Sequence, residues 1–244
     1  MCSWRATVAG VDGVAFEFVE VSVDRAGTSV LSSVDATFAD HGVTVVVGPS
    51  GSGKSTLLRL CNRLSVPTSG HIRFRGVDVE NIDALQLRRQ VGMVFQRPVS
   101  LPGTVADNLR EAKADLDGGE IAAALSTVGL SGLAERDAGA LSGGEAQRMC
   151  LARTLMAEPE YVLFDEATSS LDPASALDIE ALATGLAAAG TPSAWVTHDL
   201  DQMRRIAHHL VVVIDGHVVQ QGDADAVLGS PVPSVAEFLM GGAR

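Results

Sequence analysis

The sequence predicts an α/β protein with a parallel-sheet core, and three patterns carry that prediction. Val43–Val47, Tyr161–Phe164, Ala194–Val196 and Leu210–Ile214 are continuous apolar runs, as expected of parallel strands covered by helices on both faces. Residues 14–38 alternate instead, with Val14, Phe16 and Phe18 and then Val30, Val34 and Phe38 on the apolar side, which marks antiparallel strands. Between the runs the period is helical: Leu57, Leu58, Leu60, Cys61 and Leu64 share one stripe, and Ile121, Leu125 and Val128 another.

Taken in order, the alternating segment breaks at Asp24–Gly27 into two strands. The first apolar run ends at Val47 in a glycine-rich turn, and a helix is expected from Lys54 to Leu64. A second helix spans Glu120–Val128 and stops at Gly129. A third opens at Ser142, because Ser142-Gly-Gly-Glu145 has the spacing of a capping box and Met149, Leu151 and Leu155 follow on one side. The tail from Gly216 adds a strand at Val218–Val219 and a helix over Val235–Met240, too little for a second domain. All 244 residues fit one domain, since a single core serves chains up to about 250 residues.

The formal net charge of −12 argues against a nucleic-acid surface or an electrostatic hold on anionic lipid. Cys2, Cys61 and Cys150 form no C-x-x-C pair and read as reduced thiols rather than metal ligands. Met1–Gly10 has no basic segment leading into an apolar stretch, and no run approaches the ~18 apolar residues of a membrane span. A soluble, cytoplasmic chain without direct membrane insertion is expected, reaching any membrane through a protein partner.

Three strand ends gather the chemistry. Gly48, Pro49, Ser50, Gly51, Ser52, Gly53, Lys54, Ser55 and Thr56 follow the first apolar run and spell G-x-x-x-x-G-K-S, a loop whose backbone N–H groups and helix start cradle phosphates. Lys54, one of two lysines in the chain, would bridge the β- and γ-phosphates, and the Ser55 hydroxyl would ligate Mg²⁺. Asp165 and Glu166 end the second run, where two carboxylates are costly without a cation. Asp165 is read as the metal's partner and Glu166 as the group that reaches the attacking water. Thr197-His198 ends the third run, so His198 faces the same sheet edge, where parallel sheets bind ligands. His208 and His209 lack that setting and read as structural. Ser142, Gly143, Gly144 and Glu145 begin a second exposed helix end, a second anion site that one chain has no evident need for.

The ordered set resembles the ATP-binding-cassette (ABC) family from about residue 16 to residue 240. Gly48–Thr56 is similar to its Walker A loop, Gln96 in Val94-Phe-Gln96 to its Q-loop, and Leu141–Arg148 to its signature. Tyr161–Glu166 is similar to Walker B with the catalytic glutamate, Ser169–Asp172 to the D-loop and His198 to the switch histidine. The resemblance implies a P-loop NTPase (RecA-like) core with an N-terminal antiparallel β subdomain and a helical subdomain inserted at about residues 97–155. It implies ATP and Mg²⁺, with Ser55, Gln96 and Asp165 at the metal, and a head-to-tail pair of cassettes, identical or not, sandwiching ATP between the Walker motifs of one and Ser142–Glu145 and Asp172 of the other. It further implies docking on an integral membrane permease, with a separate solute-binding protein in some systems, at the inner face of the cell membrane. Two positions depart from the pattern. Arg25 stands where an aromatic residue usually stacks on adenine, a contact a planar guanidinium can also make, with Trp4, Phe16 and Phe18 as the next candidates. Glu145 replaces a frequent glutamine and can complete the capping box equally well.

The expected function is therefore the ATP-hydrolysing subunit of a prokaryotic ABC transporter, in a compact form that looks most like phosphate, metal or amino-acid systems. A soluble nucleotide-gated clamp without a permease is the alternative, opposed by the presence of both Glu166 and His198. A small-molecule P-loop kinase would leave Leu141–Glu145 unexplained.

Overall fold

The computed structural model describes residues 13–241; Cys2 and Trp4 lie outside them. The alternating segment forms β1 (Val14–Arg25) and β2 (Thr28–Ala39), an antiparallel pair. β3 (Val43–Val47), buried at all five positions, runs through the glycine-rich loop into α1 (Lys54–Leu60). The short strands β4 (Ser69–Phe74) and β5 (Val77–Asp78) follow, then α2 (Ala84–Gln90) and β6 (Val91–Val94). Three helices come next, α3 (Val105–Arg110), α4 (Gly118–Thr127) and α5 (Gly143–Leu155). The chain then alternates through β7 (Tyr161–Asp165), α6 (Pro173–Ala188), β8 (Ser193–Val196), α7 (Leu200–Ile206) and β9 (His209–Ile214). It ends in β10 (His217–Asp223), α8 (Ala224–Gly229) and α9 (Pro233–Gly241).

Two sheets result. β2-β1-β4-β5 is antiparallel, and β10-β9-β3-β8-β7-β6 is parallel except for β10 at its edge. Successive residues of the parallel strands feed opposite cores. Val45, Val47, Trp195, Leu210 and Val212 pack with the helices of one face, while Val46, Ala194, Val196, Val211 and Val213 pack with α1 and the antiparallel sheet. A strand buried on both faces has no polar positions to alternate, which is why these segments read as unbroken apolar runs.

Phe16 fastens the antiparallel sheet to the parallel one. Its ring lies 4.7 Å from Phe74 and 5.2 Å edge-on from Tyr161, and each such pair adds about 0.5–1.5 kcal/mol beyond the buried area. Phe16 and Phe18 are both buried in this core, so neither ring is free to stack on adenine.

α1 is shorter than expected, and α6 is not among the helices the sequence marked. α1 stops at Leu60 instead of Leu64, because Arg63 takes a left-handed φ of 56° and the chain folds back, Leu64 and Ser65 both donating their N–H groups to the Arg59 carbonyl. Leu64 is consequently 43 % exposed. α6, sixteen residues long, has no clear apolar stripe: its buried positions are Ile179, Glu180 and Ala183, and a helix that buries a charged residue while exposing leucine gives no periodic signal.

Candidate active site

The carboxyl ends of four adjacent parallel strands bring the predicted residues to one edge. β3 delivers the 48–53 loop, β7 delivers Asp165 and Glu166, β8 delivers Thr197 and His198, and β6 leads through Phe95 to Gln96. The side chains meet there. Ser55 Oγ donates to Asp165 Oδ1 at 2.6 Å, and Gln96 Nε2 donates to Glu166 Oε2 at 3.3 Å and to Ser169 Oγ at 3.1 Å. His198 Nδ1 stands 3.6 Å from the same Glu166 oxygen.

The start of α1 is built differently from other helix starts in the chain. Asp83, Thr104, Asp117, Ser142, Asp172, Asp199 and Asp223 cap α2 to α8 with a side-chain oxygen, whereas the N-cap of α1 is Gly53, with no side-chain cap. Its first-turn N–H groups, the positive end of the helix dipole, are left for a ligand. Ser52 Oγ, buried in the same loop, finds no partner among the described residues. Lys54 closes the loop on itself, its ammonium donating to the carbonyls of Gly48 at 2.8 Å and Pro49 at 2.7 Å. Burial pushes the Lys54 pKa down, opposed by the charges of Glu166 and Asp165. Gly48 has a φ of 153°, and any Cβ there would overlap the Val213 carbonyl oxygen. Only glycine lets the loop lie this close to β9.

Asp165 already has a cation. Arg59 Nη2 lies 2.9 Å from Asp165 Oδ2, with the carboxylate side chain 4 % exposed. A positive charge within the chain thus faces Asp165, and the sequence reading did not single out Arg59, although it lies four positions after Ser55 on the same helix. Glu166 sits at a left-handed φ of 48°, a conformation that costs a non-glycine residue about 1–3 kcal/mol and is kept where the surroundings impose it. Here its N–H donates to the Val196 carbonyl at 3.1 Å, which extends the β7–β8 pairing by one residue and turns the carboxylate toward Gln96 and His198.

Ser142–Glu145 is not brought to the loop within one chain. Ser142 Oγ accepts from Glu145 N at 3.3 Å and Glu145 Oε2 accepts from Ser142 N at 2.8 Å, a closed capping box that holds the Glu145 carboxyl below its usual range. Gly144 allows α5 to approach α6, since a Cβ there would strike Ser175, while Ser142 and Gly143 stay exposed. Asp172 caps α6 through Ala174 N and Ser175 N. Arg25 is exposed at the end of β1 and donates from Nη2 to Ser65 Oγ at 2.9 Å, just beyond the C-terminal end of α1.

The chain is similar to known proteins over most of its length. Residues 31–169 match the family model described as ABC transporter. The rice (Oryza sativa subsp. japonica) protein STAR1 is 44% identical over 219 residues, 87% of this chain, and the chain spans 63% of that protein's length. Phosphate import ATP-binding protein PstB 2 of Natronomonas pharaonis is 39% identical over 235 residues, 88% of this chain and 82% of its own. Among solved structures, CbiO1 of Clostridium perfringens, described as part of the ABC transporter complex CbiONQ, superimposes with a TM-score of 0.80 at 25% identity, over 94% of this chain and 100% of that one. A glycine-rich loop and a strand-end carboxylate pair on this sheet, with the family model and these relatives matching most of the chain, place it in the ABC transporter family as an ATP-binding subunit that hydrolyses ATP to drive transport.

Proposed function

We propose that hydrolysis runs at the strand edge, with Glu166 as the base, and is completed by a second cassette. The observation that carries this reading is the meeting of Gln96 and His198 on one oxygen of Glu166, beside the Ser55–Asp165 contact. ATP would lay its phosphates on the uncapped start of α1, with Lys54 moving from the Gly48 and Pro49 carbonyls to the β- and γ-phosphates. Glu166 accepts the proton of the attacking water, and His198, with a side chain 58% exposed, orients that water or the γ-phosphate. Mg²⁺ fits the donors present: Ser55 and Asp165 offer hard oxygens in contact with each other, the Gln96 amide oxygen would add a third, and Mg²⁺ commonly takes few protein ligands and completes its shell with phosphate oxygens and water. Bound there it would neutralise charge developing on the phosphates.

The exposure of Ser142 and Gly143 at the start of α5 supports closure on the ATP of an opposing subunit, with Asp172 alongside. Such a heterologous pair, identical or mixed, makes each site from two chains. Lys54→Ala and Ser142→Arg should therefore each be inactive alone. Mixed in equal amounts they should recover about a quarter of wild-type phosphate release, since random pairing leaves one intact site in half of the dimers. A mixture no more active than its parts, although the two variants still pair in sedimentation, would rule out the shared site.

Helices α3 to α5, within about residues 97–155, would form the face that meets a membrane permease, and the permease, with any solute-binding protein, would select the solute. Among the described residues no helix is long and apolar enough to cross a membrane, so a peripheral place at the inner membrane face would depend on that contact. Arg25 is proposed to stack on adenine after releasing Ser65. Arg25→Ala should weaken ATP binding and Arg25→Tyr restore it, because aromatic stacking on a base is worth about 1–3 kcal/mol. Equal calorimetric affinities for the three proteins would place adenine elsewhere.

A further inference from the structure

Behind Glu166 the fold buries an amide with both its N–H donors and its oxygen bonded. Gln202 of α7 is 3% exposed. Its Nε2 donates to Thr168 Oγ1 at 2.9 Å and to Glu180 Oε1 at 2.8 Å, and its Oε1 accepts the Trp195 indole N–H at 3.1 Å. Because an indole can only donate, the orientation of the amide is fixed. Glu180, itself 4% exposed, is closed from the other side by Arg205, through Nε at 2.9 Å and Nη2 at 2.8 Å.

Each partner belongs to a segment that carries a reacting group. Thr168 lies two residues after Glu166, and its carbonyl accepts the Leu171 N–H at 3.1 Å, closing the turn that leads to Asp172. Trp195 is three residues before His198 on β8 and stacks on Phe164 of β7 with centroids 4.5 Å apart. Glu180 stands on α6, the helix that Asp172 caps. A cavity of about 420 Å³, lined by Glu166, Thr168, His198 and Gln202 among others, opens from the network to the site. An apolar side chain of the same length would fill the space of the amide without its desolvation penalty. What the amide adds is a fixed register among α6, α7 and the ends of β7 and β8.

We propose that Gln202 is a positioning residue for ATP hydrolysis: by tying Thr168, Glu180 and Trp195 to one amide it sets Glu166 against His198 and holds the Ser169–Asp172 turn. The inference rests on the roles given above to Glu166 and His198. Gln202→Met keeps the volume and removes all three bonds. Gln202→Glu combined with Glu180→Gln exchanges acceptor for donor: the carboxylate at 202 accepts from Trp195, from Thr168 and from the amide at 180, whose oxygen still accepts from Arg205 Nε, while the half-exposed Arg205 turns its Nη2 from the shared position to solvent. Gln202→Glu alone sets two carboxylates face to face.

Phosphate release is measured against Mg-ATP concentration for these variants and for Glu166→Gln, with thermal unfolding of each. For Gln202→Met and Gln202→Glu, kcat is expected to fall at least about tenfold with KM within about twofold, and the exchanged pair to recover to within about threefold of wild type, since small misplacements of reacting groups act on kcat. An unchanged kcat, or losses of kcat, KM and thermal midpoint that move together and are not recovered by the exchanged pair, would overturn the positioning role. Full turnover by Glu166→Gln would instead overturn the reading of the site on which the proposal stands. An inactive Glu166→Gln beside a fully active Gln202→Met would overturn the positioning role alone.

Discussion

Glu166→Gln is expected to stop hydrolysis while leaving ATP bound. The substitution keeps the size of the side chain and an oxygen that still accepts from Gln96 Nε2, now 3.3 Å away, but an amide oxygen is far too weakly basic to take a proton from water. Steady-state phosphate release should fall by about 10²- to 10⁴-fold, the usual worth of a positioned general base. Nucleotide affinity should hold, because the phosphate loop and Lys54 are untouched. If closure needs ATP and opening needs its hydrolysis, the variant should also accumulate as a long-lived dimer with Mg-ATP in sedimentation. Turnover close to wild type would remove Glu166 as the base.

Lys54→Ala should damage both binding and chemistry. The ammonium is buried and holds the loop through the carbonyls of Gly48 and Pro49. Its removal leaves those carbonyls without their donor and takes away the charge that meets the β- and γ-phosphates. Preorganised charge of this kind is worth about 10²- to 10³-fold in kcat per donor removed. A loss of that size in phosphate release is expected, together with weaker ATP binding by calorimetry. Lys54→Arg should not rescue it, since the fork of a guanidinium cannot occupy a niche shaped for a compact ammonium. Near-normal phosphate release by either variant would contradict the assigned position of Lys54.

Much of this protein was legible in the chain because its informative patterns are local. The runs at Val43–Val47, Tyr161–Phe164, Ala194–Val196 and Leu210–Ile214 are strands of one sheet, and burial on both faces makes such strands uniformly apolar. Ser142 caps α5 with Glu145 as the four-residue spacing foretold. α6 and β6 were not legible. The first buries Glu180 and exposes Leu177, and the second is four residues long with a glycine inside, so neither offers a period to read.

The sequence by itself determined the order of the strands and helices it could mark, the phosphate loop, and the strand ends that bear Asp165, Glu166 and His198, since each depends on residues adjacent in the chain. Only the tertiary structure decided that Arg59 neutralises Asp165, that Gln96 and His198 share one oxygen of Glu166, that Phe16 and Phe18 are unavailable to a ligand, and that Gln202 joins Thr168, Glu180 and Trp195. These contacts join side chains from 7 to 106 residues apart. Hydrogen bonds and ion pairs act over a few ångströms, and which distant groups come that close is set by how the sheets and helices pack.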